Sequence, residues 1–396
     1  MSFLYILSGL AIIQGIITLI DGYRAARYMR KQSAVLDRRY REASVAAVYD
    51  RRVLVFCPCK GIDPEFEKNI RSILDQDFPS FDVYFIVESV TDEAFAKLKT
   101  IGVPHVLVAG PSADCGQKVH NLRYAVENVG RDAGIYVFCD SDARFTRHWL
   151  SDLTAPLLTG EAAVSTGYRW YIADRFHLPT LLRSAWNATI VGMLGDHHRN
   201  FAWGGSMALR RETFERIGVL NAWRGAVSDD YAVTRAAERA AVKIQFVPSC
   251  LMRTYGACTW PELFEFTTRQ IIITRVYHPR LWRIGFFAQT VFNAAFVWLT
   301  LLLATNPVAG ALWLAIYLLS SVRSAIRFAA VINVLKDPSL SRFAWFYILL
   351  SPVVALLFQY NMIVSALTSD IQWRQIHYRL ISPNETRVRR SSAGAS

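Results

Sequence analysis

Two aspartates one residue apart, Asp140 and Asp142, follow the apolar run Ile135–Cys139. That run, IYVFC, is short, continuous and rich in β-branched and aromatic residues, which predicts a buried strand. In open α/β sheets, ligands bind outside the carboxyl ends of the strands. Alternate residues of an extended chain point to one side, so both carboxylates can face one divalent ion. A hard ion such as Mg²⁺ or Mn²⁺ takes one or two protein carboxylates and fills its shell with phosphate oxygens, which points to a nucleotide diphosphate. An aspartate-rich turn is the competing reading. A second acidic pair, Asp229-Asp230, follows Ser228 and precedes an expected helix over 231–240. A carboxylate there can take the proton of an attacking hydroxyl; the competing reading is helix capping and dipole complementarity alone. Lys118 is a candidate cation for a leaving diphosphate, although a solvated surface lysine looks the same in sequence. Trp203-Gly204-Gly205-Ser206-Met207 reads as backbone approaching a ligand, though paired glycines also mark turns.

These residues need a scaffold, and the chain supplies an alternating one. Residues 53–57, 82–87, 105–108 and 135–139 read as strands. Residues 64–75, 92–98 and 117–129 read as helices, the first with Asp63 as its cap and Pro64 in its first turn. Such alternation predicts a parallel, doubly wound α/β sheet. Further on, 162–166 reads as a strand and 212–217 as a short helix. Residues 177–194 form an apolar helix around Trp186, placed either in a core or at a membrane interface. No internal repeat is present, and the Ser/Ala/Gly-rich end at 391–396 reads as disordered.

Of the 396 residues 53% are apolar, and a mean hydropathy of +0.21 is high for a purely soluble chain. The excess lies at the two ends. Residues 3–20 carry no charge and are long enough to span a bilayer. No basic residue precedes them and no small-residue cleavage pattern follows, so they read as an uncleaved anchor rather than a signal peptide. Arg24, Arg27, Arg30, Lys31, Arg38, Arg39 and Arg41 come next, which makes that flank cytoplasmic. Residues 284–305 and 343–367 read as spans. Residues 307–334 are long enough but carry Arg323 and Arg327, which leaves them crossing or lying partly in the interface. Three C-terminal spans would place the basic tail outside, against the same charge rule, and the sequence leaves that conflict open. The net charge of +12 flanks apolar spans, so anionic headgroups rather than nucleic acid are the expected counterpart. Six scattered cysteines show no zinc spacing and read as reduced, buried thiols.

Together these segments resemble the ceramide glucosyltransferases and their bacterial relatives within the inverting, metal-dependent GT-A glycosyltransferases. Pro58-Cys59-Lys60-Gly61 is similar to the family's proline-x-lysine-glycine start. Gly116-Gln117-Lys118-Val119-His120-Asn121-Leu122 is similar to its glycine-x-lysine-x-x-asparagine-leucine segment. Asp140-Ser141-Asp142 stands at the metal position, and Asp230 stands at the catalytic aspartate, with Asp229 as the competing base. Two positions depart from the pattern. Glu88 stands where the family commonly has aspartate, with Asp92 the other candidate for uracil or ribose. In Arg269-Gln270-Ile271-Ile272-Ile273-Thr274-Arg275, Arg269 fits a Gln/Arg-x-x-Arg-Trp motif, but Ile272-Ile273 replace its Arg-Trp pair and Arg275 lies one turn on.

The resemblance implies an α/β, GT-A (Rossmann-like) nucleotide-sugar domain with one N-terminal and two to three C-terminal transmembrane helices. The layout it implies is an anchor at 1–22, a basic linker at 23–50, the transferase domain at 51–282, a transmembrane region at 283–370 and a basic tail at 371–396. It implies transfer of a sugar, glucose first, from a UDP-sugar to a hydroxyl of a membrane lipid such as ceramide, at the cytosolic face of the cell inner membrane, as in sphingolipid metabolism. Mg²⁺ or Mn²⁺ would sit on Asp140 and Asp142. Glu88, Asp92, Lys118, Asp140, Asp229, Arg269, Gln270 and Arg275 would contact the substrates. Trp260, Phe264, Phe266, Tyr277 and Trp282 would lie where a lipid hydroxyl emerges, or serve only as membrane-belt anchors. A hopanoid or diacylglycerol acceptor and a non-catalytic nucleotide-sugar sensor are the alternatives. A polysaccharide synthase would need more spans.

Overall fold

The structure, a computed structural model, describes residues 2–36 and 52–390. The chain forms two compact units. A sheet unit comprises Lys31–Ile172, Asp196–Gly256 and Asp370–Ser396; a helical unit comprises Met1–Arg30, Ala173–Gly195 and Ala257–Ser369. Much of the basic linker, 37–51, and the end at 391–396 lie outside the described residues.

In the sheet unit β1 (Val53–Pro58), β2 (Phe81–Val87), β3 (His105–Val108) and β4 (Ile135–Cys139) run parallel in the order β3-β2-β1-β4. Helices α2 (Phe66–Leu74), α3 (Glu93–Ile101) and α4 (Gln117–Val129) connect them, following α1 (Ser2–Leu36). β1 and β4 are covered on both faces, as their unbroken apolar runs require. Beyond β4 the sheet departs from the expected parallel pattern. The order continues β7 (Ser206–Arg210), β6 (Val164–Tyr171), β8 (Ile244–Thr254), β5 (Ala143–Arg144), with β7 antiparallel to both β4 and β6. The reason is local. Ser206 pairs with Cys139, so the chain enters β7 at the carboxyl end of β4 and can only run back. Strand β6 is also longer than the expected 162–166 and extends to Tyr171.

Between these strands lie α5 (Trp149–Leu158), the short α7 (Arg211–Arg216) and α8 (Val219–Ala222), and α9 (Asp229–Arg239); α6 (Leu178–Val191) belongs to the helical unit. Capping follows the sequence at two helices and not at a third. Asp92 accepts from Ala94 N–H (3.0 Å) ahead of α3, and Ser228 Oγ accepts from Tyr231 N–H (3.3 Å) ahead of α9. Asp63 does not cap α2. That helix starts two residues after Pro64, behind Glu65 in the left-handed region (φ 61°), and Asp63 is turned instead toward Ser141 and Arg374. All six cysteines are free and buried.

The expected basic tail is folded up to Arg390. β9 (Asp370–Trp373), β10 (Ile376–Ser382) and β11 (Glu385–Arg390) make an antiparallel sheet within the sheet unit. Ile376, Tyr378 and Leu380 are buried, alternating with exposed His377, Arg379 and Ile381 at the period of a half-covered strand.

The helical unit contains α10 (Trp260–Tyr277), α11 (Pro279–Leu302), α12 (Pro307–Leu335), α13 (Ala344–Leu349) and α14 (Ser351–Leu367). Leu4–Gln32 of α1, α11 and α12 are long and apolar enough to cross a membrane. The expected single span at 343–367 is instead broken. Pro338–Leu349 and Ser351–Leu367 meet at 69°, and Pro352, which has no N–H to continue a helical ladder, follows the break. Helix α6 lies in the core of this unit: Trp186 is fully buried and its Nε1–H donates to Asn361 Oδ1 (3.1 Å).

Candidate active site

The carboxyl ends of β4 and β6 and the first turns of α4 and α9 meet in one cluster of charges. Lys118, in the first turn of α4, lies 2.8 Å from Asp140 Oδ1 and 3.2 Å from Asp229 Oδ1. Arg169, two residues before the end of β6, reaches from the other side. Its Nη2 is 2.6 Å from Asp140 Oδ2 and its Nη1 is 3.0 Å from Asp142 Oδ2. Strand alternation places Tyr171 on the same face, where its hydroxyl accepts from Arg169 Nη1 (2.9 Å). The guanidinium also lies 4.8 Å from the Trp203 ring centroid, within cation–π range. The structure brings together Lys118, Asp140, Asp142, Asp229 and Asp230, which the sequence had singled out, and adds Arg169, which it had not. It lies in the run GYRWY, which continues the strand begun at Val164 but gives no local sign of an ion pair.

Trp203-Gly204-Gly205 closes the cluster from above. A Cβ on Gly204 would stand 2.2 Å from Asp229 Oδ2 and 2.8 Å from Lys118 Nζ, and one on Gly205 would stand 2.7 Å from Asp140 Oδ2. Only glycine lets backbone approach the acids this closely. The two aspartates of α9 differ in access. Asp229 is 4% exposed, and its Oδ2 is buried without a hydrogen-bond partner. Asp230 is half-buried, with Oδ1 accepting from Tyr231 N–H (2.7 Å) and Oδ2 from Gly204 N–H (3.2 Å). An incoming hydroxyl can reach Asp230 more readily.

Charge follows burial and neighbours. Burial pushes Asp140 up, but Lys118 and Arg169 outweigh it and hold the carboxyl below the usual carboxylate range. Burial also opposes the charged form of Lys118, yet Asp140, Asp229 and Asp230 raise its pKa overall. Asp229 is pushed up to about 6 by burial, with Lys118 opposing and Asp230 and Asp140 reinforcing. Asp63 is pushed up to about 6 by burial and by Asp142, with Arg374 opposing.

The edge of the sheet beside this cluster, at the ends of β1 and β2, holds the remaining acids. Glu88, at the end of β2, pairs with Lys60 (2.5 Å) and with Arg390 of β11. Asp92 accepts from Gly61 N–H (2.8 Å) as well as capping α3. Gln117 Oε1 accepts from Ser112 N–H (2.8 Å) and from Arg390 Nη2 (2.6 Å), and Gln117 N–H donates to Tyr378 Oη (3.2 Å). Arg374, in the turn between β9 and β10, pairs with Asp63. The C-terminal sheet thus joins the edge through Arg374, Tyr378 and Arg390, none of which the sequence had marked.

Arg269, Gln270 and Arg275 lie on α10, in the helical unit. There Arg269 pairs with Glu265 (3.0 Å), Gln270 contributes its carbonyl to Thr274, and Arg275 donates to Thr368 O (3.0 Å) and Ser369 Oγ (2.7 Å).

The donor set fits a hard divalent ion. Asp140 and Asp142 offer two carboxylates, the number such an ion takes when phosphates complete its shell. Asp63, Asp140, Asp142, Asp229 and Asp230 are five acids against three cations, Lys118, Arg169 and Arg374. That excess, and the orphaned Asp229 oxygen, leave room for further positive charge.

The model of glycosyl transferase family 21 matches residues 10–386. Among solved structures, the chain is similar to a mannosyltransferase from Pyrobaculum calidifontis in complex with GDP-mannose and Mn²⁺, at 14% identity and a TM-score of 0.46, covering 84% of this chain and 99% of that one. It is also similar to glucosyl-3-phosphoglycerate synthase from Mycobacterium tuberculosis in complex with Mn²⁺ and UDP-glucose, at 19% identity and a TM-score of 0.40, covering 60% of this chain and 83% of that one.

The raised Asp229 has a measurable consequence. Folding takes up a proton on this group between its ordinary pKa and about 6, so its contribution to stability is full below pH 4 and is lost as pH rises to 6. A shift of about two units corresponds to roughly 3 kcal/mol. Asp229→Asn is therefore expected to flatten the fall in thermal midpoint between pH 4 and 7. An unchanged pH profile would mean that Asp229 ionises as it does in the unfolded chain.

Proposed function

Because the chain belongs to glycosyl transferase family 21, we propose that it transfers a hexose, glucose first, from a UDP-sugar to the hydroxyl of a membrane lipid such as ceramide. The observation that carries this reading is the meeting of Asp140, Asp142, Lys118 and Asp230 at the carboxyl end of the parallel half of the sheet. Departure of a nucleoside diphosphate needs positive charge, and Lys118 and Arg169 bring it to the Asp140 carboxylate. A divalent ion held by Asp140 and Asp142, Mg²⁺ or Mn²⁺, supplies Lewis-acid stabilisation of the same leaving group when bound. Asp230 takes the acceptor proton; backbone N–H groups of Gly204 and Tyr231 fix its carboxylate. Attack opposite the leaving group inverts the anomeric carbon. Glu88 and Asp92 flank Lys60 at the donor edge, where a nucleoside would lie. Arg269, Gln270 and Arg275 are proposed as further substrate contacts.

Membrane attachment follows from chain order. The chain leaves the sheet unit at Gly256 and returns to it at Asp370, so the helices between cross an even number of times. In this reading helices α11 and α12 supply two crossings, and the bent pair Pro338–Leu349 and Ser351–Leu367 is a re-entrant loop rather than a broken span. The basic flank of α1 and the basic β9–β11 sheet then share one side, the cytosolic one by the positive-inside rule. The active site faces the cytosol, and the acceptor emerges from the same leaflet.

Four experiments test this. Purified protein given Mn²⁺, a panel of UDP-sugars and ceramide, hopanoid or diacylglycerol vesicles is expected to yield a glycolipid detectable by mass spectrometry. Asp230→Asn should lower that rate by about 10²–10⁴-fold with UDP affinity unchanged; UDP binding with no product from any pairing would instead support a sensor. Arg169→Gln releases both metal-position carboxylates, so Mn²⁺ affinity without nucleotide, read by paramagnetic resonance, should rise by about tenfold, the scale of a charge-assisted hydrogen bond. Equal affinities would mean that Arg169 does not compete for those oxygens. A cysteine introduced as Thr305→Cys should react with an impermeant maleimide on intact cells, and Asn384→Cys only after permeabilisation. External labelling of both would overturn the even crossing number.

A further inference from the structure

We propose that the lower half of α12, facing α1, binds the phosphate of an anionic glycerophospholipid through Arg323 and Arg327. The proposal rests on the membrane reading of these helices and is independent of sugar transfer.

Arg323 and Arg327 are one turn apart on a helix long and apolar enough to span a bilayer. Arg327 is 9% exposed; its Nη2 donates to Ser324 Oγ (3.4 Å), and a Cβ on Gly192 would stand 3.5 Å from its Cδ. Arg323 runs beside Gly22 of α1, where a Cβ would stand 3.3 Å from its Cγ, and its Nε is buried with no hydrogen-bond partner. Among the described residues neither guanidinium has a carboxylate at ion-pair distance. The nearest acid of α1, Asp21, is exposed and pairs with Arg24 (3.5 Å). A buried and a half-buried cation one turn apart, without a counter-charge, are costly in a membrane helix, and such residues mark a ligand or an ion path.

The space beside them has a matching shape. Helices α1 and α12 close together at Gly15, where a Cβ would stand 3.0 Å from Leu319 Cδ1. Further along they part into a cavity of about 290 Å³ lined by Tyr23, Arg30, Ile326, Ala329, Ala330 and Asn333. Arg323, Ile326, Ala330 and Asn333 follow one another at three- or four-residue steps on one face of α12. Arg323 stands on that face one turn before Ile326, just outside the lining, so a phosphate held beside it would have the apolar wall of the cavity, and beyond that Arg30 and Asn333, as its neighbours.

Depth selects a lipid over a soluble anion. The uncharged stretch of α1 ends at Ile20, and Tyr23 lies three residues beyond it, about 5 Å along the helix axis. The cavity thus begins where lipid phosphates lie and extends toward the basic residues Arg27 and Lys31. Basic pockets between helices on the cytoplasmic side suit anionic headgroups, and Ile326, Ala329 and Ala330 offer an apolar surface to the glycerol and first acyl carbons.

Native mass spectrometry of the full chain in detergent, with phosphatidylglycerol or phosphatidylcholine added, tests the proposal. One phosphatidylglycerol is expected to survive activation that strips phosphatidylcholine. Arg323→Gln should cut its occupancy by about tenfold, the effect of one lost charge-assisted hydrogen bond. Ala330→Trp keeps both arginines but fills the cavity, and should do the same while helix content is unchanged. Equal retention of the two lipids, or phosphatidylglycerol retention that neither substitution alters, would overturn the site. Inorganic phosphate alone raising the thermal midpoint as much as phosphatidylglycerol does, in an Arg323-dependent way, would reassign it to a soluble anion and overturn the lipid proposal.

Discussion

The sheet unit is organised around a single buried contact, the Asp140 carboxylate held between Lys118 and Arg169. An ion removed from water costs several kcal/mol unless its partners are well placed. Here each oxygen of Asp140 has its own cation, which requires three separate segments to arrive together. The exit of β4 brings the acid, the first turn of α4 brings Lys118, and the end of β6 brings Arg169. Gly204 and Gly205 allow the strand that separates them, β7, to start against the carboxylates. Removing one cation from such an arrangement typically costs about 3–5 kcal/mol. The contact thus contributes little net stability but fixes register: a slip of one residue in β6 would turn Arg169 to the opposite face of the sheet.

Two helix starts explain why so many acids are tolerated. Helices α4 and α9 both begin at the cluster, and Gly116 N–H donates to Ala226 O (2.8 Å), tying the two starts together. Each contributes the positive end of its dipole, which favours carboxylates and phosphates alike. The same geometry that holds Asp229 and Asp230 in place is therefore suited to a leaving diphosphate, and the excess of acid over base leaves that region receptive to a metal–phosphate complex.

What could be read from sequence depended on whether a residue's neighbours were local. The strands of the parallel half were legible because both faces are buried and their apolar runs are unbroken. Asp140, Asp142, Asp229 and Asp230 were legible because they sit at strand and helix ends, where residue type alone is informative. Arg169 was not, since an arginine inside GYRWY has no local signature and its role depends on residues about 30 and 50 positions away. The reversal of β7 was hidden for the same reason: only its pairing with Cys139 decides it. The break near Leu350 did have a local sign, Pro352, masked by the apolar composition on either side. In the tail, arginines obscured a clear alternation of Ile376, Tyr378 and Leu380.

That C-terminal sheet raises a question of energetics at the donor edge. Arg390 and Arg374 are 35% and 38% exposed, and ion pairs so open to solvent are worth about 0–1 kcal/mol. They cannot be what holds the sheet in place. Burial of Tyr378, the Thr386 hydroxyl on Gly225 O (2.8 Å) and the close approach of Asn384 to Gly225 are the stronger attachments. The arginines instead act on their acid partners. Glu88, only 11% exposed, is already shared between Lys60 and Arg390. For Glu88 to accept a bond from a nucleoside, one of those two cations has to give way, and Arg390, the more exposed of the two, is the one that can do so at lower cost. The C-terminal strand thereby has a direct hold on an acid at the end of β2.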